Sequence, residues 1–313
     1  LRAQPRVTGI GNCALDLLAG LDRYPGPDER VTARRILEQG GGEAATAMVT
    51  LARLGISTAF IGKIGDDWAG AAIRQGLEAE GVDASGLVVE PGRRSLFSFI
   101  AVENATGRRT IFSGRTTTRL KPSELARDFP GSSEVVHLDQ RETRAGPRAA
   151  ARARRAGARV TLDVDRFEPA TLKLVRATQV VLASGDFGRQ AGPDPLAAAA
   201  RVRELGPETV VFTYGDRGAL VSGREGAFFQ PAFRVRPVDT TGAGDVFRGA
   251  FIYGLLQEWP LERTARFASA AAALKCTRPG GRTGIPGLER VILFLEERRN
   301  QARPRPLRPG DPG

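Results

Sequence analysis

Apolar positions along the chain follow two alternating rhythms. Short runs rich in Val, Ile, Leu and Thr recur at Val7–Ile10, Thr58–Ile64, Val135–Leu138, Val160–Val164, Val180–Ala183, Thr209–Tyr214 and Ala219–Ser222. They are too short for buried helices and carry strand composition. Between them lie longer stretches with helical spacing, many closed by a glycine where a helix commonly stops. These are Glu43–Leu54 before Gly55, Asp66–Glu80 before Gly81, Pro147–Ala156 before Gly157, Glu168–Ala177, and Pro195–Leu205 before Gly206. Helices are also predicted over Asp245–Gln257, Leu261–Cys276 and Leu288–Arg299. Repeated strand–helix–strand units imply an α/β fold, with a mainly parallel central sheet and helices on both faces.

Two early segments break that alternation. Val31–Leu37 reads as a strand, and Leu96–Val102 with Arg108–Phe112 reads as a hairpin around Glu103–Gly107. They are expected to form a small separate sheet, within residues of about 20–38 and 93–113, placed as a lid. The remainder is read as one domain over residues 1–300. The Pro/Arg-rich residues 301–313 are expected to be a disordered tail. Exposed edges of a small lid sheet are open to pairing into a homodimer, although a monomer with a covered edge is equally allowed.

At 313 residues the chain can bury a large core. No apolar run approaches a membrane span and no signal-peptide pattern is seen, so the expectation is a cytoplasmic protein without a membrane partner. Two distant cysteines, Cys13 and Cys276, support neither a disulfide framework nor a thiolate zinc site. The one histidine, His137, lies in a strand-like run and reads as a core residue, which leaves acid–base work to carboxylates. A net charge of +11 raises nucleic acid as a partner, but the charge is diffuse. At 6% aromatic residues there is no basic–aromatic interleaving for stacking bases, so nucleic acid is not expected.

Asp239-Thr-Thr-Gly-Ala-Gly-Asp245, followed by the apolar run Val246–Leu256, reads as a loop feeding the first turn of a helix. Gly242 and Gly244 let backbone N–H groups face an anion, and the helix dipole favours negative charge there. Asp245 at the edge of that hole suits a carboxylate that receives a proton from a hydroxyl attacking phosphorus. The dipole should keep it ionised. Arg248 falls on the same helical face and is placed to reach an anionic group on a substrate.

These residues resemble the ribokinase-like (pfkB) sugar kinases. One signature is Gly40-Gly-Gly-Glu-Ala-Ala-Thr-Ala-Met-Val-Thr-Leu-Ala-Arg-Leu-Gly55, and the other is Asp239–Phe251. Ile61–Asp67 and Thr213–Ala219 match between them, and the likeness runs from about Val7 to Val291. The resemblance implies a ribokinase-like three-layer sandwich and ATP-dependent phosphorylation of a sugar hydroxyl with Mg2+. Asp245 would be the base, and Gly242, Ala243 and Gly244 the anion hole. It also implies sugar contacts from Asn12, Gly41, Gly42, Thr46 and Asp16, the last as the acidic residue ending the first strand. Thr213, Gly215, Gly218, Asp239, Thr240, Ser269 and Gly280 would serve the nucleotide.

The chain departs from the family pattern in several places. Many relatives have Asn where this chain has Thr46, and a hydroxyl cannot donate and accept through separate atoms as a carboxamide does. An Asn-x-x-Glu segment linked to magnesium in many relatives reads Ala183-Ser-Gly-Asp-Phe187 here. Ser184 would then face the phosphates and Asp186 the metal, through water. Ketohexokinase-like relatives share that Ser and Asp. Members that bind a monovalent cation match at Asp239 and Thr241 but often carry Ser where this chain has Gly284, so potassium is not expected. Arg108, Arg109, Arg115 and Arg141 near the lid and cleft, with Arg248, leave an anionic acceptor open: a sugar phosphate, a sulfonated ketose or a sugar acid. A nucleoside acceptor, or a non-catalytic sensor on the same fold, also stays open.

Overall fold

The computed structural model describes residues 4–114, 118–307 and 311. Its main sheet joins β1 (Val7–Ile10), β4 (Thr58–Gly65), β5 (Leu87–Glu90), β8 (Val135–Asp139), β9 (Arg159–Val164), β10 (Val180–Ser184), β11 (Thr209–Thr213), β12 (Gly218–Gly223) and β13 (Gly226–Pro231). Among the described residues the order is β13-β12-β11-β10-β9-β8-β1-β4-β5, parallel except at β12 and β13. The expected mainly parallel α/β sheet is present. β5 and β13 escaped the sequence reading, being short or interrupted by polar residues.

Each strand sends alternate side chains to opposite faces, and each face is a core. On one side Val7, Phe60, Leu182 and Val211 pack on α1 (Glu43–Arg53), α2 (Trp68–Ala79), α7 (Ala243–Leu256), α8 (Leu261–Cys276) and α9 (Leu288–Glu297). On the other, Ile10, Leu138, Val181 and Phe212 pack on α3 (Gly146–Arg155), α4 (Pro169–Arg176), α5 (Gly185–Ala191) and α6 (Pro195–Glu204). The alanines Ala268, Ala270 and Ala271 of α8 are fully buried, which fixes α7 and its N-terminus.

The lid is a separate sheet in the order β3-β2-β6-β7, made of β2 (Ala14–Leu21), β3 (Arg35–Gly41), β6 (Leu96–Glu103) and β7 (Arg109–Ser113). Its position in the sequence was anticipated, but its centre was not. β2 reads Ala-Leu-Asp-Leu-Leu-Ala-Gly-Leu, without β-branched residues, and is a strand because β3 and β6 flank it. β3 starts at Arg35, not Val31, and runs through the glycines to Gly41, with Ala14 opposite Gly41 and Gly20 opposite Arg35. The tail also differs from expectation: the backbone of Arg305 pairs with Phe229 of β13, and the Arg305 guanidinium packs over that ring.

The chain leaves β1 toward β4 and β5 on one side and returns through β8 to β11 on the other. The strand order therefore switches between β1 and β8, and a crevice opens at their carboxyl ends, the position favoured for ligands in such sheets.

Candidate active site

The crevice collects loop ends from many elements. After β1, the Asn12 N–H donates to Asp139 Oδ2 at the end of β8 (2.6 Å), and the Arg141 N–H donates to Asp139 Oδ1 (2.9 Å). Burial and the nearby Glu43 push Asp139 well above the ordinary carboxylate range. An adjoining cavity of about 560 Å3 is lined by Glu43, Gln140, Arg141, Asp165, Asp186 and Arg189, among others. A larger groove of about 840 Å3 lies at the opposite end of the sheet, against Glu134, Arg159 and Gln179, and holds none of the anticipated site residues.

The glycine loop behaves as its composition suggests. Gly242 is the residue before α7, in the left-handed conformation with φ 73°, and no side chain caps the helix. A Cβ there would lie 2.9 Å from the Gly281 carbonyl oxygen, so the loop closes against the Gly280–Gly281 turn. The Ala243 N–H is spent on the Thr240 carbonyl at 3.2 Å, which makes the turn tight. An uncapped helix start of this kind is a cradle for anionic oxygens.

Asp245 stands in the first turn of α7, with its side chain 19% exposed. Burial lifts its carboxyl to about 7. Arg248 opposes that lift, while Glu43 and Asp165 add to it. The dipole was expected to keep Asp245 ionised; burial instead brings its carboxyl close to neutrality. A carboxylate near neutrality suits a proton acceptor better than a strongly acidic one.

Arg248 does not do what its spacing suggested. Its guanidinium is buried, 2.7 Å from Asp163, 3.4 Å from Asp165 and 3.9 Å from Asp245. Helix α7 lies over the carboxyl ends of β9 and β10, so this face meets protein carboxylates and not an incoming ligand. Asp163 is fully buried; burial pushes its carboxyl up and Arg248 pulls it back. His137 is a core histidine as expected, with Nδ1 2.9 Å from Thr161 Oγ1, and burial and Arg248 push it down to about 3.

The residues expected to meet an acceptor gather around β2, β3 and the start of α1. Asp16 lies on lid strand β2 and not at the end of β1, a correction that follows from β2 being a strand at all. Its carboxylate fills the space over Gly41, where any side chain would collide with it. Gly42, with φ 94°, turns the chain into α1 against the Asn12 carbonyl. Burial raises Asp16 to about 6, against the pull of Arg282 and a hydrogen bond from Ser98. Thr46 sits in the first turns of α1, with its hydroxyl 3.3 Å from Arg282 Nε.

Arg282 escaped the sequence reading. It is 5% exposed and donates from Nη2 to the Gly41 carbonyl at 2.9 Å. Its guanidinium also fills the space over Gly40, and among the described residues no carboxylate stands within ion-pair distance of it. Thr46 and this arginine are in contact, Arg282 Nε donating to the Thr46 hydroxyl. Glu43 was also missed. It joins the site because α1 points its N-terminus at the crevice, and only its position one residue after the glycine run hinted at this.

On the nucleotide side the structure is mixed. Thr213 ends β11 with its hydroxyl donating to the Ala183 carbonyl (3.3 Å), and Gly215 and Gly218 bracket the following turn. The Gly280 N–H donates to Asp239 Oδ2 at 2.8 Å. Ser184 caps α5 by accepting from the Phe187 N–H, and Asp186 is exposed and paired with Arg189, so both are engaged locally. Ser269 donates to the Pro231 carbonyl at 3.4 Å and packs α8 on β13. From the lid, Arg109 Nη1 donates to Thr240 Oγ1 at 2.9 Å. Arg115 lies outside the described residues.

Among the described residues no three His, Cys, Asp or Glu side chains are grouped to hold a metal. Asp165, Asp186 and Glu43 line one cavity, which fits magnesium in its usual form, held by one or two carboxylates, substrate phosphates and water. No described helix is long and apolar enough to cross a membrane.

A family model for pfkB family carbohydrate kinases matches residues 4–288. An ATP-dependent ribose-1-phosphate kinase of Halopiger xanaduensis is 29% identical, covering 94% of this chain and 99% of its own. A ribokinase of Haemophilus influenzae is 26% identical over 93% of this chain and 98% of its own. The crystal structure of ribokinase from Thermotoga maritima superposes with a TM-score of 0.80 at 25% identity, covering 94% of this chain and all of that one.

Proposed function

The chain belongs to the pfkB family of carbohydrate kinases, phosphotransferases with a hydroxyl acceptor, and from that premise we propose that it phosphorylates a sugar hydroxyl at the expense of Mg-ATP. The observation that carries this reading is Asp245, tuned to about 7, beside an uncapped helix start in the crevice between sheet and lid.

In this reading Asp245 takes the proton of the acceptor hydroxyl as its oxygen attacks the terminal phosphorus, and ADP leaves with the bridging oxygen. The N–H groups of Gly242 and Gly244 hold the phosphate oxygens, the Ala243 N–H being spent on Thr240. Magnesium, when bound, neutralises phosphate charge; Asp165, Asp186 and Glu43 are the side chains placed to hold its water shell. Asp16 and the backbone at Gly41 and Gly42 orient the acceptor, and the lid excludes water so that ATP is not hydrolysed. The apolar side chains Ile36, Ile111 and Phe112, exposed on the lid, give two copies a surface on which to pair.

A second reading, an anionic acceptor such as a sugar phosphate, is favoured by Arg282. A buried guanidinium with no carboxylate in ion-pair contact, only Asp16 farther off, is a costly feature that an anionic group would offset further. The relative named as a ribose-1-phosphate kinase points the same way. ADP release measured across neutral sugars, nucleosides, sugar acids and sugar phosphates tests both readings. Turnover by wild type and its loss in Asp245→Asn support kinase action. No turnover of any acceptor, with wild type and variant behaving alike, refutes it in favour of a sensor.

A further inference from the structure

We propose that the ammonium group of Lys275 is a built-in cation that shapes the anion hole, so that phosphoryl transfer in this chain needs no monovalent metal ion. The proposal rests on the kinase reading above and concerns how its anion hole is kept in shape.

Lys275 lies in the last turn of α8 and is fully buried. Its Nζ donates to the Asp239 carbonyl at 2.8 Å, immediately upstream of the glycine loop. The same residue is tied down from several directions. The N–H groups of Val238 and Asp239 both reach the Cys276 carbonyl, at 2.8 and 3.2 Å. The Asp239 carboxylate, itself fully buried, accepts from the Thr241 N–H and the Gly280 N–H, each at 2.8 Å. Asp239 therefore fixes both walls of the hole, the Thr241–Gly242 side and the Gly280–Gly281 side.

This arrangement concentrates negative charge behind an anion-binding site. The last carbonyls of α8 carry the negative end of the helix dipole, Asp239 contributes a full charge, and a bound phosphate would add more. Without a positive charge nearby the loop would be driven apart when the phosphate arrives. Among the described residues Asp239 has no ion-pair partner within contact distance, and Lys275 is the buried cation hydrogen-bonded to its backbone. Burial lowers the ammonium from its ordinary range, Asp239 raises it, and Arg109 and Asp245 act in opposite senses from farther off. A lysine kept in so dry a place needs a reason, and the carbonyl it holds is the hinge of the phosphate cradle.

The local packing leaves little room for an added ion. A side chain at Gly284 would start 2.5 Å from the Lys275 carbonyl oxygen, so the backbone is closed up on that side of the lysine. One observation pulls the other way: the Thr241 hydroxyl is buried without a hydrogen-bond partner. An ion bound at that hydroxyl would make activity depend on salt, so the two accounts separate cleanly.

The test is turnover of the best acceptor with Mg-ATP in a potassium-free, tetramethylammonium-buffered medium, then with potassium added at constant ionic strength of about 0.15 M. Wild type is expected to change by less than about twofold, well under the tenfold that a 1.4 kcal/mol effect would give. Lys275→Met, close in length and uncharged, is expected to lose about ten- to a hundredfold in kcat with the acceptor KM nearly unchanged. Lys275→Ala is expected to regain activity with ammonium or methylammonium but not with tetramethylammonium. Severalfold activation of wild type by potassium overturns the proposal, as does full kcat in a folded Lys275→Met. A merely structural lysine would show a lowered Tm with unchanged kcat in the surviving folded fraction and no ammonium rescue, which also overturns it. Should both variants fail to fold, the wild-type salt series decides alone. If no acceptor is turned over at all, the kinase reading falls and this inference with it.

Discussion

Replacing Asp245 by Asn should make the protein more stable above neutral pH while abolishing its activity. Burial holds the Asp245 carboxyl at about 7 against its ordinary 3.8, so the folded protein binds this proton more tightly than the unfolded chain does. The sign follows. Stability from the protonated carboxyl is present at low pH and is lost as pH rises through 7, because the buried group must then ionise. At about 1.4 kcal/mol per tenfold, the ceiling is about 4 kcal/mol. Asn copies the neutral form at every pH, so it escapes this loss. It also leaves Arg248 with Asp163 and Asp165 only, taking away a carboxylate 3.9 Å distant, which returns part of the gain. A net stabilisation of about 1–3 kcal/mol at pH 8 is expected, a Tm rise of about 1.5–4.5 °C in a chain of this size. The gap should narrow toward zero near pH 4. Thermal unfolding of both proteins across pH 4–8, beside ADP release with Mg-ATP, measures it. Asp16, also raised to about 6, is present in both proteins and cancels. A Tm gap that is constant with pH, or that shrinks as pH rises, would refute the assignment of a strained, near-neutral carboxyl.

Further outcomes follow from the same geometry. The pH profile of kcat/KM should rise through about 7 as Asp245 loses its proton, and Arg248→Met should move that limb to higher pH because the opposing charge is gone. The same substitution leaves Asp163 buried without its 2.7 Å partner and should cost about 3–5 kcal/mol in chemical denaturation. Arg282→Gln should raise KM for an anionic acceptor at least about tenfold, with KM for ATP little changed, whereas an equal effect on both would count against acceptor recognition. Gly41→Ala should raise the acceptor KM sharply, since the new methyl occupies the space of the Asp16 carboxylate; a variant that binds acceptor as tightly as wild type would show that this approach is not needed.

Much of the architecture was legible because its signals are local. β8 to β11 and their helices alternate in a rhythm that short apolar runs and stop glycines announce, and the glycine loop before α7 carries its backbone consequence in its own composition. β2 was not legible. Its side chains favour no strand, and it becomes one only because β3 and β6 supply hydrogen bonds on both edges. Asp16 was accordingly expected on the wrong element, and its carboxylate over Gly41 came from the fold alone.

The charged residues divide along the same line. Sequence by itself determined that Asp245 would sit in the first turn of a helix beside an anion-binding loop, since helix spacing and glycine conformation are properties of neighbouring residues. Tertiary structure decided what that carboxylate and its surroundings are. Burial and the charges around it set its proton affinity. The approach of α7 to the end of β9 paired Arg248 with Asp163. The end of α8 brought Lys275 behind Asp239, and the return of the chain after it brought Arg282 against Gly41. Those distances join residues far apart in sequence, and charge interactions depend on distance and burial, which no local pattern records.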